Sequence, residues 1–275
     1  MKKQNTKVEL ENSIRTEEDV VERLIDNLTL FDDDLMSRVF ERDIKATELV
    51  LSIVLGRPIQ VVSVVGQDEL KNPIVGGRNI TVDIHSIDTD GQEMDIEVQG
   101  DSDGAHVKRA RFHSSMMDSR MLKSNQKFKE MKDSYVIFIY KRDKFKKGLP
   151  VYHIERTISE TGEMVGDGSH IIYVNGSYRG DDAIGKLIED FHQSDADQMH
   201  YRELADGVRH FKNEKEGRED MCEAVQKYAK ERELGANISA VSNLMKNMKV
   251  TLEQALNILG IQGEDRTAIE KQLQK

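Results

Sequence analysis

Between Thr81 and Gln99 the chain alternates polar and apolar residues in two runs, and this pattern constrains the fold more than any other feature. A period of two is the pattern of a half-buried strand. The runs are separated by Thr89-Asp90-Gly91, which suits a three-residue hairpin loop with Gly in the left-handed position. With that loop Asp88 faces Gln92, His85 faces Asp95 and Asp83 faces Glu97. Val82, Ile84, Ile96 and Val98 then turn together into a core. Two carboxylates are left side by side, with Cβ atoms about 5 Å apart. Such a pair calls for a shared proton, a basic neighbour or a divalent cation. A two-residue loop, Asp90-Gly91, would set Asp83 opposite Val98 and strip one hydrophobic set from the core, so the three-residue loop is preferred.

The chain has 275 residues, enough for one large core or a core with an appendage. One cysteine, Cys222, excludes an intrachain disulfide and fits a reducing, cytoplasmic setting. The lysine-bearing N-terminus has no apolar stretch behind it and does not read as a secretory signal. No apolar run approaches the ~18 residues of a membrane span. Net charge is −10 and unevenly spread. Residues 105–149 hold thirteen Lys or Arg against four acids, a local +9 that leaves −19 on the remainder. A basic segment directly behind an acidic hairpin is either a solvated face or a wall for phosphate.

Along the chain, residues 1–30 read as a polar lead-in, with a short amphipathic piece from Val20 to Leu28. Asp32, Asp33 and Asp34 offer N-caps for a helix through Phe40. Ala46 to Leu55 is a second helix, stopped by Gly56 and Pro58. Ile59–Val65, 79–88 and 92–99 read as strands. A helix is expected from Ala105 to Met131, with Phe112, Met116, Met121, Leu122 and Phe128 offered to the core. Tyr135–Tyr140 is apolar throughout, as a strand buried on both faces would be. Two more strands, Val151–Ile158 and His170–Val174, precede a helical region from about Asp181. The expected layout is a lead-in over 1–30, an α/β domain with a mixed sheet over 31–195, and a helical C-terminal region over 196–275. The charged helical tail is read as a scaffold or homo-oligomerisation element. His85 and His113 are read as packing or surface histidines. Asp88-Thr89-Asp90-Gly91 is explained by a turn better than by a calcium loop.

An acid on one strand, Glu97-Val98-Gln99 on the next, then a basic helix and an apolar strand resembles the active-site layout of the PD-(D/E)XK nucleases. Phe40–Gly56, Lys108–Ser115, Asp167–Gly176 and Val208–Met221 are similar to blocks of the PD-(D/E)XK nuclease family transposases, over roughly 31–235. The resemblance implies a restriction-endonuclease-like αβββαβ core and cleavage of DNA with Mg²⁺, or with Mn²⁺ or Ca²⁺ in its place. It implies metal ligands at Asp83 and Glu97, a further acid at Glu48, and Gln99 where the family motif has lysine. The backbone carbonyl of Val98 is a third ligand by position. Lys108, Arg109 and Arg111 are the expected phosphate contacts. Gln99 orients a water through its amide but supplies no positive charge. Gln99, with Val82 where the motif has proline, leaves a second reading open: a degenerate nuclease fold that only binds DNA or protein.

Overall fold

The expected hairpin lies at the centre of the sheet. In the computed structural model, residues 19–41, 43–100 and 104–273 are described. Asp88 N–H donates to the Gln92 carbonyl and Gly91 N–H to the Asp88 carbonyl, both at 3.1 Å. Gly91 takes φ +77°, the left-handed value the turn requires. The strands pair Ile84 with Ile96, His85 with Asp95 and Ser86 with Met94, the register that a three-residue loop demands. Val82, Ile84, Ile96 and Val98 are all buried.

A helical segment over 19–27 precedes α1 (Asp33–Phe40) and α2 (Ile44–Leu55). The strands β1 (Val61–Leu70), β2 (Ile80–Asp88) and β3 (Glu93–Gln99) follow. Next come α3 (Val107–Met121), β4 (Ser134–Tyr140), β5 (Val151–Ile154) and β6 (Ser169–Asn175). The sheet order is β1-β2-β3-β4-β6-β5. β1, β2 and β3 are antiparallel; β3, β4 and β6 are parallel; β5 closes the edge antiparallel. From α2 to β4 this is the αβββαβ order of a restriction-endonuclease-like fold, with a mixed sheet and helices behind it.

Local chemistry sets the boundaries. Asp43 caps α2 by accepting from Ala46 N–H at 3.0 Å, and Gly56 ends it at φ +64°. His106 caps α3 through Nδ1, which accepts from Lys108 N–H at 3.1 Å. All seven residues of β4 are buried, because it lies between β3 and β6 and is covered on both faces. One core cluster joins Val136, Phe138 and Tyr140 of β4 to Ala110, Met116 and Met117 of α3 and to Tyr173 of β6. On the other helices Leu35, Phe40, Val50, Leu51, Ile188 and Phe191 are buried.

The expected helix from Ala105 to Met131 is too long. α3 stops at Met121, a short 3₁₀ turn spans Phe128–Glu130, and Phe128 is 87% exposed rather than in the core. Between them Lys123 N–H donates to the Gln126 side chain, so a local side-chain bond replaces the helical one.

The chain divides into two units, residues 22–221 and residues 222–275 with the segment before Glu22. The larger holds the sheet, α4 (Ala183–His192) and α5 (Arg202–Asn213); α6 (Lys215–Met248) begins in it. In the smaller, α6 leads to α7 (Leu252–Ile258) and α8 (Gly263–Leu273). That unit has its own core of Val241, Ala255, Leu256, Ile261 and Ile269. Thr251 and Gln254 form a capping box at the start of α7. Among the described residues no helix is long and apolar enough to cross a membrane. Residues 1–18 of the polar lead-in lie outside the described residues.

Candidate metal centre

Regular pairing of β2 with β3 ends at Ile84–Ile96, one step before Asp83 and Glu97 would meet. On the other side of β2, pairing with β1 skips Gln67, which takes φ +51° between the Gly66–Ile84 and Asp68–Val82 pairs. Asp83 therefore sits where the ladder is broken on both sides, as at a β-bulge. The carboxylates take up the loose backbone groups. Asp83 N–H donates to Glu97 Oε1 at 3.1 Å, and Val98 N–H donates to Asp83 Oδ2 at 3.0 Å. Each acid is thereby held by the strand that carries the other.

Glu97 is fully buried and is the hub of the site. Arg109, from the first turns of α3, brings Nη2 to 2.6 Å from Glu97 Oε2. One helical turn further on, His113 lies 3.6 Å from Glu97 Oε1 and 2.8 Å from Asp95 Oδ2. Arg109 Nε donates to His113 Nε2 at 3.3 Å, which leaves the His113 proton on Nδ1, donated to Asp95. Gln99 Nε2 reaches Glu97 Oε2 at 3.4 Å. Asp95, Glu97 and His113 bring ligand atoms within 4.8 Å of one another, all three buried. Asp83 is not one of that group; it adjoins it and acts on it through charge.

The acids crowd one another. Burial, followed by the charge of Asp83, pushes Asp95 up to about 8. Burial, then the charges of Asp95 and Asp83, holds Glu97 well above the ordinary carboxylate range. Burial raises Asp83 to about 6 against the pull of the Val98 hydrogen bond, and the charge of Asp33 on α1 adds to the rise. Burial lowers His113, in keeping with a neutral imidazole.

These residues fit a divalent cation. Among the described residues Asp95 Oδ1 is buried with no hydrogen-bond partner, an acceptor left open within a compact O,O,N donor set. A cation there would offset the burial and the mutual charge that hold Asp95 and Glu97 up. The Val98 carbonyl, given as a ligand by position, faces the Asp83 side: Val98 N–H points to Asp83, while Glu93 N–H and the Gln99 carbonyl bond the β4 side.

A cavity of about 840 Å³ opens beside the acids. Arg78, Asn79, Gln99, Lys108, Arg109 and Phe112 line it. Of the three expected phosphate contacts, Lys108 reaches this cavity, Arg109 reaches it while gripping Glu97, and Arg111 is exposed outside its lining. Glu48 is not brought to the site. Its Oε1 accepts from Val61 N–H at 2.8 Å, and Val61 pairs with Asp88, five residues or ~17 Å along β2 from Asp83. Asp33, on the preceding helix, is the acid whose charge Asp83 feels. His85, read as a packing or surface residue, is half-buried between Asp68 at 2.8 Å and Glu93 at 3.4 Å.

Sequence reasoning assigned no site role to Asp95 or Arg78 and had His113 as a packing or surface residue. Asp95 carried a readable signal, since it shares the face of Glu97 two residues earlier. His113 carried a weaker one: the Arg109/His113 spacing of four places both on one face of α3.

The family model described as PD-(D/E)XK nuclease family transposase matches residues 47–176, a narrower span than the 31–235 expected from the sequence. It runs from within α2 through β6 and so includes Asp83, Asp95, Glu97 and His113. No curated protein and no solved structure matches the chain.

Proposed function

We propose, for a chain whose residues 47–176 belong to the PD-(D/E)XK nuclease family transposases, a metal-dependent DNA endonuclease acting in transposition or recombination. The observation that carries this is Glu97, buried within ligand distance of Asp95 and His113, with Asp95 Oδ1 open and a basic cavity alongside. Glu97 would be the central ligand and Asp95 and His113 would complete the donor set, with Asp83 adjoining from β2 and the Val98 carbonyl from β3. Mg²⁺ or Mn²⁺ is the cofactor. When bound, the ion supplies charge for the pentacoordinate phosphorus and acidifies the attacking water.

The chain's own groups do the rest. Lys108 and Arg78 hold substrate phosphate in the cavity. Arg109 turns from Glu97 toward the same phosphate, and Gln99 orients water through its amide. Without an ion, the His113 Nδ1–H holds Asp95 in place, and for His113 to join the donor set one ring nitrogen would have to give up its present hydrogen bond. The lone Cys222 fits work in the cytoplasm, and the smaller helical unit is a candidate for self-association.

The test is cleavage of supercoiled plasmid in Mg²⁺, Mn²⁺ and Ca²⁺. Glu97→Gln and Asp83→Asn, each folded by circular dichroism, are expected to lose at least ~100-fold in rate. Activity surviving both substitutions would reject the assignment. A second reading rests on Arg109, whose guanidinium already neutralises Glu97 without a metal, and on Gln99. On that reading the chain binds DNA and never cuts, whichever divalent ion is supplied. Faster cleavage of RNA than of DNA would instead point to a ribonuclease.

A further inference from the structure

The basic segment 105–149 is one run in sequence but three groups in space. β3 and β4 run parallel, with Glu93 beside Ser134 at one end and Gln99 beside Tyr140 at the other, six residues or ~20 Å away. Lys123, Lys127, Lys129 and Lys132 precede Ser134 and so belong to the end away from Glu97; Lys132 lies against the hairpin turn at Gly91. Lys108 and Arg109 start α3. The third group follows Tyr140 directly: Lys141, Arg142, Lys144, Lys146 and Lys147. It begins at the catalytic end, where Lys141 N–H donates to the Gln99 carbonyl at 2.9 Å.

This loop is built rather than loose. Its one acid, Asp143, is turned onto the loop's own backbone. It accepts from Phe145 N–H at 3.1 Å, Lys146 N–H at 2.9 Å and Gly148 N–H at 2.7 Å, and from the Tyr152 hydroxyl at 2.8 Å. Lys146 is held at φ +56°, a conformation that costs free energy in any residue but glycine. Phe145 is anchored inward, with ring centroids 4.9 Å from Tyr152 and 5.4 Å from Tyr173. Asn175 ties down the far end through the Leu149 and Pro150 carbonyls.

The outcome is an outward row of cations. Arg142, Lys146 and Lys147 are exposed and form no ion pair among the described residues. Elsewhere in this acidic chain Arg38, Arg156, Arg209 and Arg218 each grip an aspartate. Like charges ordered together without counter-ions add nothing to stability, so their ordering points to an external polyanion.

We infer that the loop Lys141–Leu149 is a preformed clamp for the phosphate backbone of duplex DNA, on the β4 side of the site, opposite the Arg78/Lys108 cavity. This rests on the nuclease reading for its ligand, but not on a bound metal or on cleavage.

The test is binding of a fluorescein-labelled 20-bp duplex in EDTA, followed by anisotropy from 50 to 300 mM NaCl. The triple variant Arg142→Gln/Lys146→Gln/Lys147→Gln is expected to lower the salt slope by nearly 3, since each phosphate contact contributes about 0.9. Affinity at 100 mM should fall at least ~10-fold. The control Lys123→Gln/Lys127→Gln/Lys129→Gln should change the slope by less than 1. An unchanged slope in the loop variant, an equal loss in the control, or a loss confined to RNA would overturn the inference. Because no metal is present, failure to cut DNA leaves this result standing, and loss of the clamp leaves plasmid cleavage by the wild type to be judged separately.

Discussion

At the scale of single residues, Glu97 is under the greatest strain of charge. Buried Asp95 lies two residues before it and half-buried Asp83 on the neighbouring strand, and the charges of Arg109 and His113 oppose them. Replacing an acid by its amide removes charge but keeps shape. Asp95→Asn is therefore expected to fold at least as stably as wild type in EDTA, and to bind Mn²⁺ at least ~10-fold more weakly by calorimetry. Unchanged affinity would remove Asp95 from the donor set. An imidazole nitrogen favours Mn²⁺ over Mg²⁺ more than a carboxylate does. His113→Gln should accordingly weaken Mn²⁺ more than Mg²⁺, and equal weakening of both would reduce His113 to a packing role.

At the scale of elements, what the sequence revealed followed the physics of period and turn. The 81–99 hairpin was legible to the residue, because alternation and a left-handed Gly91 together leave one register. β4 was legible because an unbroken apolar run has few other uses. The end of α3 was not, since Leu122 to Phe128 carries the residue types of a helix and is ended by a local Gln126 bond that no period announces. Glu48 misled for a related reason: it is on the expected helix, but its carboxylate serves the start of β1. Lys212 was invisible beforehand. It is buried on α5, and its ammonium donates to the carbonyls of Asp26, Leu28 and Ser194, joining three segments remote in sequence. Lys212→Ala leaves those carbonyls without their donor and should cost ~2–4 kcal/mol by urea unfolding. Cleavage per folded molecule should be unaffected; a cost under ~0.5 kcal/mol would show that water replaces the ammonium freely.

At the scale of the whole molecule, the acid cluster makes stability a function of pH. Asp83 and Asp95 titrate higher in the folded chain, at about 6 and about 8, than in the unfolded one. The folded state then holds more protons than the unfolded one above pH ~4. The stability these groups contribute is complete below that value and is lost as pH rises through 6 and then 8. In EDTA, thermal unfolding should show the Asp95→Asn variant gaining on wild type between pH 6 and 8. A divalent cation should raise the wild-type midpoint more at pH 8 than at pH 6, because it displaces those protons. A gap between the two proteins that stays constant across this range would contradict the cluster's electrostatics.

The turn at Thr89–Gly91 has a consequence for how such a chain can drift over time. One added or deleted residue there would rotate Asp83 and His85 away from Glu97 and Asp95, whatever else stayed the same. The stretch 71–79 joins β1 to β2, and Val75 within it is wholly solvent-facing, so its length is free to vary. Kinsmen of this chain should thus differ in size between the first two strands, yet keep a loop of constant length between the second and third.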